Sequence, residues 1–559
     1  MADVATALGQ SLPYDLTPGW EAYYAVVLWS DCMQVATLVA MVLAGLAALR
    51  RWLRRPAGPD LEVVEPVAVI VPCYLPNEAP IIRGTIEHIL ENLEHVQNLT
   101  VYLVYNTPTD MAEEAELQEM AQPERQRPGR RLVVRRVMGS TSKAENLNDV
   151  ISNLTEKYVA IYDPDHCPNP DSLALAVCHL KRSGADCVQG STYIRKGLFP
   201  FRAFVCAEFF VSYFVAWPAM QVITGTGFFG GANGIWLASS LMQLKFDEKA
   251  LAEDIECFVR AVVKNRFKFE FLPESCSGEL LPVGPRAFWR QRLRWCMGWD
   301  QVTLRQATVF WRADIPLRER MGLWYMFFGR WISQLCAVIV VLFNARAALQ
   351  WQLAETDEDV HNLKVPSCIR HLQFASLCGY MVFVIYSASY ALFHRHLAVL
   401  PGLMLYFMIM PFYVVFNSCM LTVSLFRVAT GNTGGWVVTS RATGVAASAL
   451  PGEEPLLGMG ADVADACSQR VLAIGFVTMG AIAGALVELS LVELWLDYSF
   501  WPSNRAGQVF VAPESLCLGS WCRDERFIAG STRSVACPTL CGLRLPSVRT
   551  HRNRLYCCS

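Results

Sequence analysis

Apolar residues follow two different patterns along the 559-residue chain. Between residues 56 and 320 they come in short bursts separated by charged and turn-forming positions. VAVIVPC (67–73), LTVYLVYN (99–106), LVVRRV (132–137) and YVAIYDPD (158–165) are each of strand length. Nearly unbroken apolar runs of this size mark strands buried on both faces. A polar turn, YLPNEAP, follows the first, and helical stretches lie between the others: Ile81 to about Leu93, an acidic one around 110–121, and Ser140–Leu154 with Ser or Thr at its N-cap. Alternation at this spacing predicts βαβ units and a parallel sheet. Ligands of such sheets bind beyond the carboxyl ends of the strands. Asn77, Asn106 and Asp163 are therefore expected to converge on one crevice.

Outside this segment the runs lengthen. Residues 32–49 are an uncharged run of 18 ending in RRWLRR, close to the ~20 residues a spanning helix needs. No Lys or Arg precedes Arg50, whereas Arg50, Arg51, Arg54 and Arg55 follow at once, which predicts an external N-terminus and a cytosolic residue 56 onward. A cleaved signal peptide fits badly, because the basic cluster lies on the wrong side. Further apolar runs occupy 322–349 (interrupted by Arg330), 373–393, 398–426 and 471–496. The run 398–426 holds Pro401 and Pro411 and reads as one tilted helix, two helices or a re-entrant segment. The predicted organisation has a segment 1–55 with a first transmembrane helix at about 23–49, a soluble domain 56–300 and an interfacial helix 301–321. Transmembrane helices follow at 322–427, a loop region at 428–470, another transmembrane helix at 471–499 and a Cys-rich tail at 500–559.

Composition agrees with a membrane protein carrying a soluble insert: 53% of residues are hydrophobic and only 18% charged, against about 25% charged in soluble domains. Disorder, a collagen-like fibre and a small disulfide scaffold are excluded. A net charge of −2 leaves no basic field to recruit nucleic acid. The 20 cysteines show no zinc-like grouping. Six of them, from Cys517 to Cys558, lie in the tail, where disulfides form only if that tail is external.

Three constellations carry candidate chemistry. Asp163-Pro164-Asp165 ends an apolar strand with two carboxylates one residue apart, a pair that can hold a hard divalent cation or be a solvated turn. Ala252-Glu253-Asp254 opens the helix IECFVRAVVKN; its acids either complement the helix dipole or supply a general base at a crevice. Gln291, Arg292, Leu293, Arg294 and Trp295 form a cationic and aromatic cluster that suits a membrane interface or a phosphate and a sugar face.

The order PCYLPNE, GSTSKAENLN, DPD, FFGGANG, AED, QRLRW resembles the family 2 glycosyltransferases, and within them the processive, membrane-embedded branch of cellulose, hyaluronan, chitin and β-1,3-glucan synthases. By motif the resemblance covers roughly residues 66–300, and WVVTSR at 436–441 looks like the gating loop of those synthases. It implies an α/β architecture, a cytosolic, Rossmann-like glycosyltransferase A-type domain inserted between transmembrane α-helices. The nucleotide-sugar donor, UDP-glucose or UDP-N-acetylglucosamine, would meet Pro72, Tyr74, Glu78, Asn106, Lys143, Asp163 and Asp165. Asp163 and Asp165 would hold Mg²⁺ or Mn²⁺, with His166 beside them, and Asp254 would be the catalytic base. Gly231 and Asn233, in the run Gly230-Gly231-Ala232-Asn233, would hold the acceptor together with Gln291, Arg294 and Trp295, which also meet the leaving diphosphate. Trp436, Thr439 and Arg441 would gate. One departure concerns the base: where the family usually has an Asp pair after the second strand, this chain has Tyr105-Asn106-Thr107-Pro108.

The implied reaction is a single, inverting displacement that extends a β-linked polysaccharide and threads it across a plasma or Golgi membrane. Two rivals remain: a non-processive enzyme that glycosylates one lipid, as ceramide glucosyltransferases do, and a transporter or receptor that senses a nucleotide sugar. Arg330 inside an apolar run would suit a transport pathway or a polysaccharide channel.

Overall fold

The structure, a computed structural model, describes residues 18–53, 61–197, 199–339, 367–393 and 396–431. The predicted gating residues Trp436, Thr439 and Arg441, the helix at 471–499 and the Cys-rich tail lie outside the described residues.

The predicted strands form as β1 (Val67–Tyr74), β2 (Leu99–Asn106), β3 (Arg130–Arg136) and β4 (Tyr158–Ile161), joined in parallel in the order β3-β2-β1-β4. Val67 through Val71 are fully buried. Along β1 the side chains alternate between two cores: Val67, Val69, Val71 and Cys73 face one, Ala68 and Ile70 the other. Both faces are therefore apolar, which is why the run does not alternate in polarity. The sheet then turns mixed. Next to β4 come β7 (Gly234–Leu237), antiparallel, then β6 (Cys187–Lys196), β8 (Phe269–Leu280) and the short β5 (Cys167–Pro168).

Helix α1 (Pro18–Leu53) precedes the sheet, and α2 (Leu75–Asn92) starts directly after β1. PNEAP, expected as a turn, is instead the first helical turn. Pro76 sits where its missing N–H costs nothing, and Glu78 complements the dipole. Helix α3 (Glu113–Met120) carries the acidic stretch, and α4 (Lys143–Ile151) is capped as expected, the Ser142 hydroxyl accepting from the Glu145 N–H at 3.2 Å. Helix α5 (Ser172–Ser183) leads into β6.

Three helices among the described residues are long and apolar enough to cross a membrane: Leu28–Ala47 within α1, α6 (Phe201–Thr224) and Leu397–Ala429. The second corrects the expectation that residues 56–320 hold no such run. In α6 61% of the apolar window is buried, against 12% in α1. One part of α6 packs on α1, another on the helix at the end of the described chain and a third near β6, so every side needs apolar residues. That last helix, α12 (Leu400–Ala429), runs unbroken through Pro411, which settles 398–426 as one helix. Between lie α7 (Ala238–Leu244), α8 (Glu253–Arg260), α9 (Gly284–Arg312), α10 (Leu317–Trp324) and α11 (Ser367–Phe393). Helix α9 continues across residue 300, where the sequence suggested a boundary.

Arg330 pairs with Asp300, a fully buried carboxylate of α9 that also accepts from Trp331 Nε1 at 2.8 Å and from the Ser424 hydroxyl of α12. The charge inside the apolar run is thus an internal tie between helices.

Candidate active site

Beyond the carboxyl ends of β1 and β4 lies a crevice of about 320 Å³. Pro72, Tyr74 and Glu78 enter it from the end of β1 and the first turn of α2; Lys143 enters from the start of α4, and Asp163, Asp165 and His166 from the loop after β4. Gly231 comes from the loop before β7, Glu253 and Asp254 from the first turn of α8, and Gln291, Arg294 and Trp295 from α9. The three constellations, spread along the sequence from Asp163 to Trp295, face one space.

Lys143 is the hinge of its electrostatics. Its ammonium donates to Asp163 Oδ1 at 2.6 Å and to the Gly231 carbonyl at 3.3 Å, and lies 3.8 Å from Glu253 Oε1. Burial works against the charge, but Asp163, Glu253 and Asp254 outweigh it and hold the amine above its usual range. Asp254 shows the opposite balance. Burial, then the neighbouring Glu253 carboxylate, push it up to about 7, while Lys143, the Ile255 N–H at 2.8 Å and Arg294 pull down. A carboxyl that titrates near neutrality, placed at a helix start in a crevice, can accept a proton from a hydroxyl. Gly231 makes room for it: its φ is +86°, and a Cβ there would lie 2.5 Å from Asp254 Oδ2.

Asp165 is buried and its Oδ2 accepts from the Leu280 N–H at 3.1 Å, while Arg195 holds its carbonyl at 2.7 Å. His166 contacts Ser277 Oγ at 3.1 Å and Glu279 at 3.4 Å. Burial opposes its protonation, but Glu279, Asp165 and Asp163 lift it above its usual value. Among the described residues, the three-donor cluster close enough to hold an ion by itself is Glu94, His95 and Asp171, away from the crevice. Asp163 and Asp165 alone offer a partial set of hard oxygen donors. Such a set fits Mg²⁺ or Mn²⁺, which complete their shells with substrate phosphate oxygens and water.

Two expected contacts are corrected. Asn106 does not line the crevice; its amide donates to the Ser140 carbonyl at 2.9 Å and its oxygen accepts from Asn146, which does line it. Asn233 likewise sits behind, donating to the Ser191 and Ser275 carbonyls at 2.7 and 2.8 Å and so tying β6 to β8. A buried amide surrounded by carbonyls is a local demand that short motifs do not display. Asn77 is also absent from the lining.

The remaining wall was not among the expected site residues. Phe209, Ser212, Tyr213 and Trp217 reach the crevice from one face of α6, at a widened π turn spanning Val211–Ala216. Trp217 stacks on Phe228 with centroids 4.4 Å apart, and Phe228 on Trp299 at 5.5 Å; all three line the crevice. Only the i, i+3, i+4, i+8 spacing on α6 could have pointed to that face.

Residues 65–298 match the family model described as "Glycosyltransferase like family 2". This stretch is thus similar to that family over a mixed, Rossmann-like α/β sheet. A relative named "Probable glycosyltransferase YdaM", from Bacillus subtilis (strain 168), is 23% identical over 282 residues, covering 48% of this chain and 63% of its own length. Solved structures overlap too. The mannosyltransferase PcManGT from Pyrobaculum calidifontis, in complex with GDP-Man and Mn²⁺, is 19% identical with a TM-score of 0.41, over 66% of this chain and 99% of that one. S. aureus TarS in complex with UDP-GlcNAc is 14% identical with a TM-score of 0.30, over 66% and 92%.

Proposed function

We propose that this protein is an inverting, metal-dependent glycosyltransferase. It takes a sugar from a nucleoside-diphosphate donor, UDP-glucose or UDP-N-acetylglucosamine, and adds it to a growing β-linked polysaccharide. The single observation that carries this reading is that Asp163, Asp165, Asp254, Arg294 and Trp295 line one crevice.

In this reading the donor's diphosphate lies against Asp163, Asp165 and Lys143. A divalent cation bound there would neutralise charge on the leaving diphosphate. Arg294, whose buried Nε has no hydrogen-bond partner among the described residues, adds a fixed positive group on the same side. Asp254 takes the proton from the attacking acceptor hydroxyl, and the displacement inverts the anomeric carbon. Trp295 and Gln291 hold the acceptor end. In this reading the crevice opens at the cytosolic face of a membrane, and the polymer passes outward between the apolar helices.

The wall contributed by α6 favours a second reading. An apolar, span-length helix with Phe209 and Trp217 in the crevice also suits a membrane lipid that receives a single sugar. Mass spectrometry of the product decides between them.

The test uses full-length protein in detergent with each donor in turn. The wild type is expected to release nucleoside diphosphate and form a glycosidic product. Asp254→Asn is expected to abolish transfer and keep nucleotide affinity within a few-fold. Loss of nucleotide binding in that variant would assign Asp254 to the fold and remove the base from the mechanism.

A further inference from the structure

Helix α6 is apolar over the length of a membrane span, yet it carries one carboxylate, Glu208, whose side chain is only 12% exposed. Glu208 Oε2 accepts from Arg292 Nη2 of α9 at 2.7 Å, and Oε1 accepts from the Tyr413 hydroxyl of α12 at 2.5 Å. Three helices meet at this carboxylate.

The guanidinium it holds does not stop there. Arg292 lies 4.4 Å from the ring centroid of Trp295, 4.9 Å from that of Phe288 and 5.2 Å from that of Phe209. A guanidinium over an indole face is attracted by the ring quadrupole, and more strongly when desolvated. A buried ion pair is poor value as a stabiliser, because two charges lose their water. Here the pair orients a planar cation whose Nε has no hydrogen-bond partner among the described residues, so Glu208 and the rings set its plane. Arg292, Trp295 and Phe209 all line the crevice; Glu208 and Tyr413 do not.

We propose that Glu208 is a positioning residue which, through Arg292, fixes the indole of Trp295 and so sets acceptor affinity without touching the donor half. This rests on the assignment of Trp295 to the acceptor. In the donor half, Glu78 accepts from the Tyr74 N–H, Lys143 donates to Asp163, and Asp165 accepts from the Leu280 N–H.

The experiment compares wild type with E208Q, which keeps the shape and removes the charge. Transfer is followed with UDP-glucose and cellotetraose, or UDP-N-acetylglucosamine and chitotetraose, whichever pair the wild type turns over. The protein carries 5-fluorotryptophan, and the Trp295 fluorine signal among the 16 tryptophans is identified with Trp295→Phe. The expected result is an acceptor KM raised about 3- to 30-fold, the span of a cation–π contact, a donor KM within twofold, and a displaced Trp295 signal. An unchanged acceptor KM, or both KM values rising together, overturns the proposal. Where E208Q does not accumulate, Y413F removes one hydrogen bond from the same carboxylate, and the same two results decide. Where the wild type transfers no sugar at all, the proposed function fails separately, and an unmoved Trp295 signal in E208Q still overturns the positioning claim.

Discussion

Removing the Glu253 charge should move the acid limb of the reaction. Asp254 sits at about 7, against 3.8 for an unperturbed aspartate, and after burial Glu253 is the largest contribution raising it. A charge within ~4–6 Å of a carboxylate is worth about 1–3 pKa units. Glu253→Gln should therefore bring Asp254 to about 6 or below. The sign follows from the proposed base role: with the carboxylate as the proton acceptor, activity is lost as pH falls through the Asp254 value. With that value at about 7, roughly 9% of the enzyme holds the base form at pH 6; at about 6 the fraction is roughly half. The variant should accordingly gain about fivefold in kcat/KM at pH 6 and change little at pH 8. The assay is kcat/KM for nucleoside diphosphate release across pH 5–9, which reports the free enzyme. A limb that stays in place, or moves to higher pH, would refute the claim that Glu253 holds the proton on Asp254.

Other perturbations test neighbouring parts of the site. Gly231→Ala forces a Cβ to 2.5 Å from Asp254 Oδ2 at a φ of +86°, and misplacing a reacting group by about 1 Å costs about 10² in rate; a kcat within threefold of wild type, measured under saturating donor, would contradict it. Chelation by EDTA should stop turnover and added Mg²⁺ or Mn²⁺ restore it; full turnover in EDTA removes the cation from the account. Asp300→Asn leaves Arg330 without its carboxylate where three helices join, a change expected to cost about 3–5 kcal/mol and to lower the thermal unfolding midpoint. The double variant Asp300→Leu, Arg330→Met should recover most of that loss, and equal midpoints for Asp300→Asn and wild type would show the pair to be idle.

The chemistry-bearing segments were legible in the sequence because each is set by local demands. An unbroken apolar run such as Val67–Val71 can only be a strand or helix buried on both sides. Ser142 before Lys143 starts a helix because its hydroxyl accepts an otherwise unpartnered N–H. The alternation of strand and helix brought Asp163 to the crevice as expected but not Asn77 or Asn106, and Asp254 was expected there only from the family resemblance. The segment YLPNEAP was misjudged because a proline suits a loop and a first helical turn equally.

Long-range packing decided the rest. Whether α6 is a soluble helix or a span cannot be judged from its residues, since an apolar helix is equally at home under a sheet or in lipid, and only its neighbours distinguish the two. Asn106 and Asn233 carry the residue type of a binding site but serve as internal ties, because the nearest carbonyls happen to lie behind the crevice. The Asp300–Arg330, Glu208–Arg292 and Glu208–Tyr413 ties join residues 30, 84 and 205 positions apart. Sequence by itself determines which groups are present and which turn of backbone holds each one. Which of them share a desolvated space, and so acquire unusual charges and partners, is a property of the tertiary structure, because burial and Coulomb interactions depend on distance through space and not along the chain.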